Sequence, residues 1–279
     1  MADTVIRNAT IIDGTGADRF IGDVTIDDGH ITEVGVTSGS AAIEVDATGL
    51  VLAPGFVDVH THDDGALLQH PDMEFKVSQG CTSVVVGNCG FSAIPAVPGE
   101  HTLDLSGVQA NWNDLDGYRE SVESSGPAVN AMMLVGHNTI RSIEMGGERR
   151  APTDHELEQM CRHVELAMQQ GACGLSTGLI YRPGRWSDTE EVLELAKVVA
   201  PFDGIYATHM RNENDHLLEA VDEALEIGAR AGVAVQISHH NAAGRRNWGK
   251  VKDSLAKVDA AVADGAPVSY THLTLPTKA

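Results

Sequence analysis

The sequence predicts an incomplete (β/α) barrel of the TIM type, with about six of the usual eight strands, preceded by part of a small β-sandwich. Three observations predict it. Residues 1–50 alternate polar and apolar side chains between tight-turn signals. From residue 51, apolar runs of strand length alternate with helical patterns, the rhythm of a parallel sheet covered by helices. No GxGxxG fingerprint is present, although Gly87-Asn88-Cys89-Gly90 is glycine-rich. Its absence favours a barrel over an open dinucleotide-binding sheet.

The elements follow in order. Ile6–Ile12 reads as a strand ending in the turn residues Asp13-Gly14. Asp23–Asp27 and His30–Val34 alternate on either side of Asp28-Gly29, a hairpin signal because the tight turn needs positive φ. The barrel strands are expected at Val51–Val59, Thr82–Gly87, Val129–Val135, Gly174–Thr177, Ile205–Thr208 and Val233–Ser238. Helices are expected at Thr153–Gln170, Thr189–Ala200, Asn214–Ala231 and Lys250–Ala263. Thr153 followed three residues later by Glu156 forms a capping box.

The tail breaks this rhythm. Val268-Ser269-Tyr270-Thr271-His272-Leu273-Thr274-Leu275-Pro276-Thr277 matches, residue for residue, one reading frame of a common transposase sequencing adaptor. The expected organisation is therefore 1–50 as the β-sandwich part, 51–267 as the truncated barrel, and 268–279 as adaptor read-through replacing a natural continuation. His272 is discounted as a ligand on that ground.

Composition narrows the function. The chain has 279 residues, 42% hydrophobic and 21% charged, enough to bury a core. Its 19 basic and 40 acidic residues leave a formal charge of −21. That balance argues against nucleic acid, whose phosphates need clustered Lys and Arg. Nothing resembles a signal peptide or the roughly 18 apolar residues of a membrane span. Cys81, Cys89, Cys161 and Cys173 form no CxxC pair and point to a reducing, cytoplasmic setting.

Histidine carries the chemical signal. In Pro54-Gly55-Phe56-Val57-Asp58-Val59-His60-Thr61-His62 the two imidazoles share one strand face and can meet a metal ion at a barrel mouth. Cys89 follows Val84-Val85-Val86, and a thiolate there is a soft ligand able to bridge two metal ions. His209 and His239 end two further strands, so four imidazoles follow three strands on the face where barrel active sites form. By alternation His240 points away and reads as structural. His137 reads as a packed, hydrogen-bonded group. His70, His101, His155, His163 and His216 read as solvated. Cys81, Cys161 and Cys173 read as small hydrophobes.

Taken together, these stretches resemble the amidohydrolase superfamily, and within it the D-aminoacylases, the N-acyl-D-amino-acid deacylases. The resemblance is carried by Gly49–Asp64, Gly80–Ser92, Leu134–Arg141, Gly171–Pro183, Ala207–Glu213 and Gln236–Gly249. It implies a tight zinc site of Cys89, His209 and His239, and a weaker one at His60 and His62 with Cys89 bridging. It implies that Tyr181 polarises the scissile carbonyl or contacts the substrate carboxylate. Asn241 stands where the family usually has a substrate-binding lysine, and an amide supplies no full positive charge. The family's proton-transferring aspartate follows the eighth strand. No residue here matches it, Asp58, Asp63 and Asp64 included.

The expected activity is zinc-dependent hydrolysis of N-acyl-D-amino acids to a D-amino acid and a carboxylate. The D preference rests on the resemblance alone. The rivals are a cyclic-amide hydrolase of the dihydroorotase or hydantoinase type and an inactive metal-binding fragment. The 279-residue chain itself is expected to be inactive and poorly stable.

Overall fold

The computed structural model describes residues 1–99 and 107–271. The chain divides into two compact units, Met1–Phe56 and Val57–Ala279.

The first unit is a single sheet of β1 (Ala2–Ile11), β2 (Phe20–Asp27), β3 (His30–Gly35), β4 (Ala41–Asp46) and β5 (Val51–Leu52), in the order β3-β2-β1-β4 with β5 also paired to β1. The β2–β3 hairpin turns at Asp28-Gly29, where both residues have positive φ. Val5, Ala9, Ile11, Val24 and Ala47 are its buried apolar side chains. β5 corrects one expectation. Val51–Val59 is not one strand, because Val51 and Leu52 pair with Thr10 and Ile11. Pro54-Gly55 then interrupts the ladder, proline having no N–H to donate.

The second sheet runs β6 (Phe56–Asp58), β7 (Cys81–Val86), β8 (Asn130–Gly136), β9 (Gly174–Gly178), β10 (Ile205–His209), β11 (Ala234–Ser238) and β12 (Val268–Tyr270), each beside its sequence neighbour. It is a curled parallel half-barrel. Strand alternation divides the side chains between two faces. Val84, Val86, Met133, Val135 and Tyr206 enter the large core, whereas Val85, Leu134 and Ala207 form a separate inner cluster. The helices are α1 (Ala66–Gln69), α2 (Glu74–Val77), α3 (Leu115–Ser125), α4 (His137–Met145), α5 (Asp154–Gln169), α6 (Thr189–Val199), α7 (Leu217–Ala231) and α8 (Lys250–Ala263). Leu193, Leu195, Val199, Val221, Ile227 and Val258 on these helices are almost fully buried in that core. α5 opens with the expected capping box between Thr153 and Glu156.

Two features lie outside the sequence expectation. Among the described residues the parallel sheet has seven strands where about six were expected, and the seventh, Val268–Tyr270, falls where the α/β rhythm breaks. It pairs with β11 in the register Val235↔Val268 and Ile237↔Tyr270, and its two apolar side chains pack on the core. α3 and α4 were also unread. α4 starts at His137 directly after β8, with no intervening turn residues to mark it. Among the described residues no helix is long and apolar enough to cross a membrane.

Candidate metal centre

The C-terminal ends of β6, β7, β10 and β11 bring four side chains around one sulfur. Cys89 Sγ lies 3.4 Å from His60 Nε2, 3.6 Å from His209 Nδ1 and 3.3 Å from His239 Nε2. The His60 and His239 rings are 4.3 Å apart, and those of His209 and His239 4.8 Å. His62 stands 5.6 Å from His60, edge to face. Two ligand-like triads result, His60-His62-Cys89 and Cys89-His209-His239, with Cys89 common to both.

The backbone holds Cys89 and His239 in conformations that L residues seldom take. Their φ values are +54° and +51°. Such residues cost on the order of 1–3 kcal/mol each and persist where surroundings over-determine them. For His239 the effect is visible in the alternation. Ile237 faces the large core, so a continued strand would send residue 239 the same way. The positive φ turns it back toward Cys89 and sends His240 to the outer side instead, where its Nε2 and the Ser254 hydroxyl are 3.0 Å apart.

The Cys89 loop is fastened on three sides. Asp64, fully buried, accepts from Gly87 N–H at 3.1 Å and Ala93 N–H at 3.0 Å. Ser176 on β9 accepts from Gly90 N–H at 3.0 Å and donates to Gly87 C=O at 2.5 Å. Asn88 donates to Val85 C=O at 2.8 Å and to Thr61 C=O at 3.4 Å, tying this loop to the His60–His62 turn. Gly178 permits the approach of β9, since a Cβ there would stand 2.0 Å from the Cys89 carbonyl oxygen.

This donor set fits a metal ion better than a hydrogen-bond network. One thiol has one proton and can donate to only one of three nitrogens. Around a tetrahedral zinc, Zn–S near 2.3 Å and Zn–N near 2.0–2.1 Å place sulfur and nitrogen about 3.5 Å apart. The three observed separations bracket that value. Burial, followed by the neighbouring imidazoles, pushes His60 and His209 down to about 4. Burial also lowers His239. All three are therefore neutral at pH 7, the form that coordinates.

Around the cluster opens a cleft of about 660 Å³, lined among others by Asp58, Tyr181, Glu213 and Asn241. Glu213 Oε1 is 3.3 Å from His209 Nε2, and both atoms are buried without an aligned hydrogen-bond partner. With Nδ1 toward Cys89 and Nε2 toward a carboxylate, His209 has the arrangement of a metal-bound imidazole oriented from behind. Burial pushes the Glu213 carboxyl up, opposed by the Asn241 amide 3.1 Å away. Asn241 also donates to His239 C=O at 2.6 Å, so its amide is already engaged within the chain. Tyr181 is half exposed at the cleft with its ring 4.7 Å from that of His209. Burial and the charges of Cys89 and Glu213 raise its phenol, which keeps its proton.

All five histidine and cysteine positions expected at the site converge, and Tyr181 lines the same cleft. His137 is fully buried with Nε2 2.8 Å from Glu191, the packed group expected of it. His70, His155 and His216 are exposed as expected. His163 is not solvated: it is half-buried, 2.7 Å from Glu144. His101 and His272 lie outside the described residues. Sequence reasoning missed Glu213. Its signal was a carboxylate four residues after a strand-end histidine, His209-Met210-Arg211-Asn212-Glu213.

The chain is similar to known proteins over most of its length. A D-aminoacylase of Alcaligenes xylosoxydans xylosoxydans is 40% identical over 94% of this chain and 55% of its own length. An N-acyl-D-glutamate deacylase from the same organism is 40% identical over 98% of this chain and 57% of its own length. The crystal structure of N-acyl-D-glutamate deacylase from Bordetella bronchiseptica, complexed with zinc and a phosphonate inhibitor, superposes with a TM-score of 0.93 at 39% identity, covering 99% of this chain and 59% of that one. The chain thus spans about half the length of the curated relatives it matches. The profile described as the amidohydrolase family matches residues 44–275. On that match and these relatives, the chain belongs to the amidohydrolase family.

Proposed function

We propose that Cys89, His209 and His239 hold a tightly bound zinc ion, that His60 and His62 form a second and weaker site sharing Cys89, and that the protein hydrolyses the amide bond of N-acyl-D-amino acids. The observation that carries this reading is the single sulfur with three imidazole nitrogens at 3.3–3.6 Å. The D-aminoacylase and deacylase relatives support the substrate class.

Zinc, when bound, supplies a Lewis acid and brings the pKa of a bound water toward about 7. The chain's own groups do the rest. The neutral imidazoles of His209 and His239 and the Cys89 sulfur, as thiolate, would hold the ion and would leave room for that water. Glu213 orients His209 through Nε2. Tyr181, protonated at neutral pH, offers a hydroxyl donor to the carbonyl or the carboxylate of the substrate. Asn241, committed to Glu213 and the His239 carbonyl, brings no charge to that carboxylate. Small N-acyl amino acids are the partners, not nucleic acid, in keeping with the charge of −21. Four free cysteines support a cytoplasmic setting.

No observation favours the cyclic-amide reading. Hydrolases of that type would be expected to offer a bridging lysine after a mid-barrel strand; this chain has Leu175-Ser176-Thr177 there, with the Ser176 hydroxyl spent on the Cys89 loop. The test is hydrolysis of N-acetyl-D- against N-acetyl-L-amino acids and hydantoins by the zinc-loaded protein expressed from its genomic locus. D-selective deacylation, lost in Cys89→Ala together with stoichiometric zinc, is the expected result. Hydantoin opening without deacylation, or full zinc retention in Cys89→Ala, would overturn the reading.

A further inference from the structure

Beside the sulfur–imidazole cluster, one largely buried cation is shared by two carboxylates. Lys76 Nζ lies 2.6 Å from Asp58 Oδ2, 3.0 Å from Asp63 Oδ2 and 3.2 Å from Thr61 Oγ1. The Lys76 side chain is 16% exposed and that of Asp63 17%. Solvent therefore screens the Lys76–Asp63 pair less than a surface pair, Asp58 being more open at 29%.

Asp58 and Asp63 bracket the tripeptide His60-Thr61-His62. β6 ends at Asp58, so sheet pairing no longer fixes every backbone group beyond it. Asp58 Oδ1 accepts the His60 N–H at 3.2 Å, and the Thr61 hydroxyl donates to Asp63. Both fastenings converge on the same ammonium. The lysine reaches them from α2, a single turn whose N-cap Met73 is fully buried with φ +43°. Methionine gains nothing locally from that conformation, having no polar side chain to hydrogen-bond its own backbone. The Met73 carbonyl accepts the Lys76 N–H at 2.8 Å, so the kinked residue starts the turn that delivers the ammonium.

We infer that Lys76 is a positioning residue: its ammonium clamps Asp58 and Asp63 around the His60-Thr61-His62 turn and so sets the placement of both imidazoles. Without the cation, two nearby carboxylates repel each other, Asp58 loses its fixed orientation, and the turn opens. The consequence for zinc rests on the proposed second site at His60 and His62. The consequence for ring placement does not.

The experiment uses the full chain in two states. In the metal-free chain, heteronuclear NMR of the imidazole rings is recorded for the native sequence, Lys76→Met and Lys76→Arg. The expected result is that Lys76→Met shifts or broadens the His60 and His62 rings, leaves those of His209 and His239 in place, and is rescued by Lys76→Arg. Zinc titration then reads the second equivalent, expected to weaken about 10–100-fold in Lys76→Met while the first is unchanged. Unmoved His60 and His62 rings would overturn the inference, as would equal disturbance of all four rings. If Lys76→Met is insoluble, Asp63→Asn serves in its place, since it removes one clamped carboxylate while keeping the lysine, with the same ring pattern expected. Ring movement with no change in zinc binding would uphold the positioning role and sink the two-site reading.

Discussion

Cys89 and the three nitrogens around it define what single residues contribute. If the Cys89-His209-His239 triad is the tight site, His60→Asn leaves the first zinc equivalent bound and weakens only the second, by about tenfold or more, as measured by metal titration. Loss of both equivalents would contradict the division into two sites. The neutral histidines also make acid sensitivity predictable. His60 and His209 are pushed by burial from 6.5 down to about 4. Between those values the unfolded metal-free chain holds protons that the folded chain does not, so stability falls as pH drops through the window and this contribution levels off below about 4. Urea unfolding of the metal-free chain from pH 7 to 4 is expected to show a falling midpoint, with a shallower fall in His209→Asn. Equal slopes in the two proteins would show that His209 is not the source. At this scale the ligands were legible because each ends an apolar run, which is how a barrel presents chemistry. Lys76 was not legible, because it acts on Asp58 and Asp63 from a separate element, whereas Glu213 carried only the weak signal of its spacing from His209.

At the scale of elements, the β7–β9 junction decides whether the sulfur is where it must be. A Cβ on Gly178 would meet the Cys89 carbonyl oxygen at 2.0 Å, and one on Gly87 would meet the Leu134 carbonyl at 2.0 Å in a backbone with φ +78°. Neither neighbour is a flexible side-chain end, so the strand or the loop must move. Gly178→Ala is expected to cost about 1–3 kcal/mol by overpacking and to displace Cys89. Unfolding and zinc titration measure both effects together. Unchanged zinc affinity in a folded Gly178→Ala protein would show that the loop tolerates the shift. Ser176→Ala removes one acceptor and one donor from the same loop and should cost about 1–3 kcal/mol for the groups left bare. The long periodic helices α5 to α8 were readable from their apolar spacing, with the Thr153 capping box marking the start of α5. α4 was not, because its start is fused to β8. β5 and β6 merged in the sequence reading because an apolar run does not say which sheet takes each half, and only Pro54-Gly55 marks the division.

At the scale of the molecule, the barrel-type sheet does not close among the described residues, and β6 and β12 stand at its two ends. Edge strands carry unpaired N–H and C=O groups that template association. The 279-residue chain is expected to associate in a concentration-dependent way in size-exclusion chromatography with light scattering. A monomer with a sharp melting transition across the concentration range would contradict that expectation. The seventh strand shows why the architecture was only partly legible. Three residues are too few to display a period, and Val268-Ser269-Tyr270 alternates just enough to pair with β11. The parallel sheet, the position of the site at its strand ends and the identity of the ligand types were all contained in local pattern. The convergence of those ligands on one sulfur is a property of the curled sheet.

Whether a zinc ion is held through Cys89 is read by X-ray absorption spectroscopy of the protein loaded with one equivalent of zinc. One sulfur scatterer at about 2.3 Å with nitrogen scatterers at about 2.0–2.1 Å is expected, with loss of the sulfur shell in Cys89→Ala. A first shell of nitrogen and oxygen alone in the native chain would contradict it.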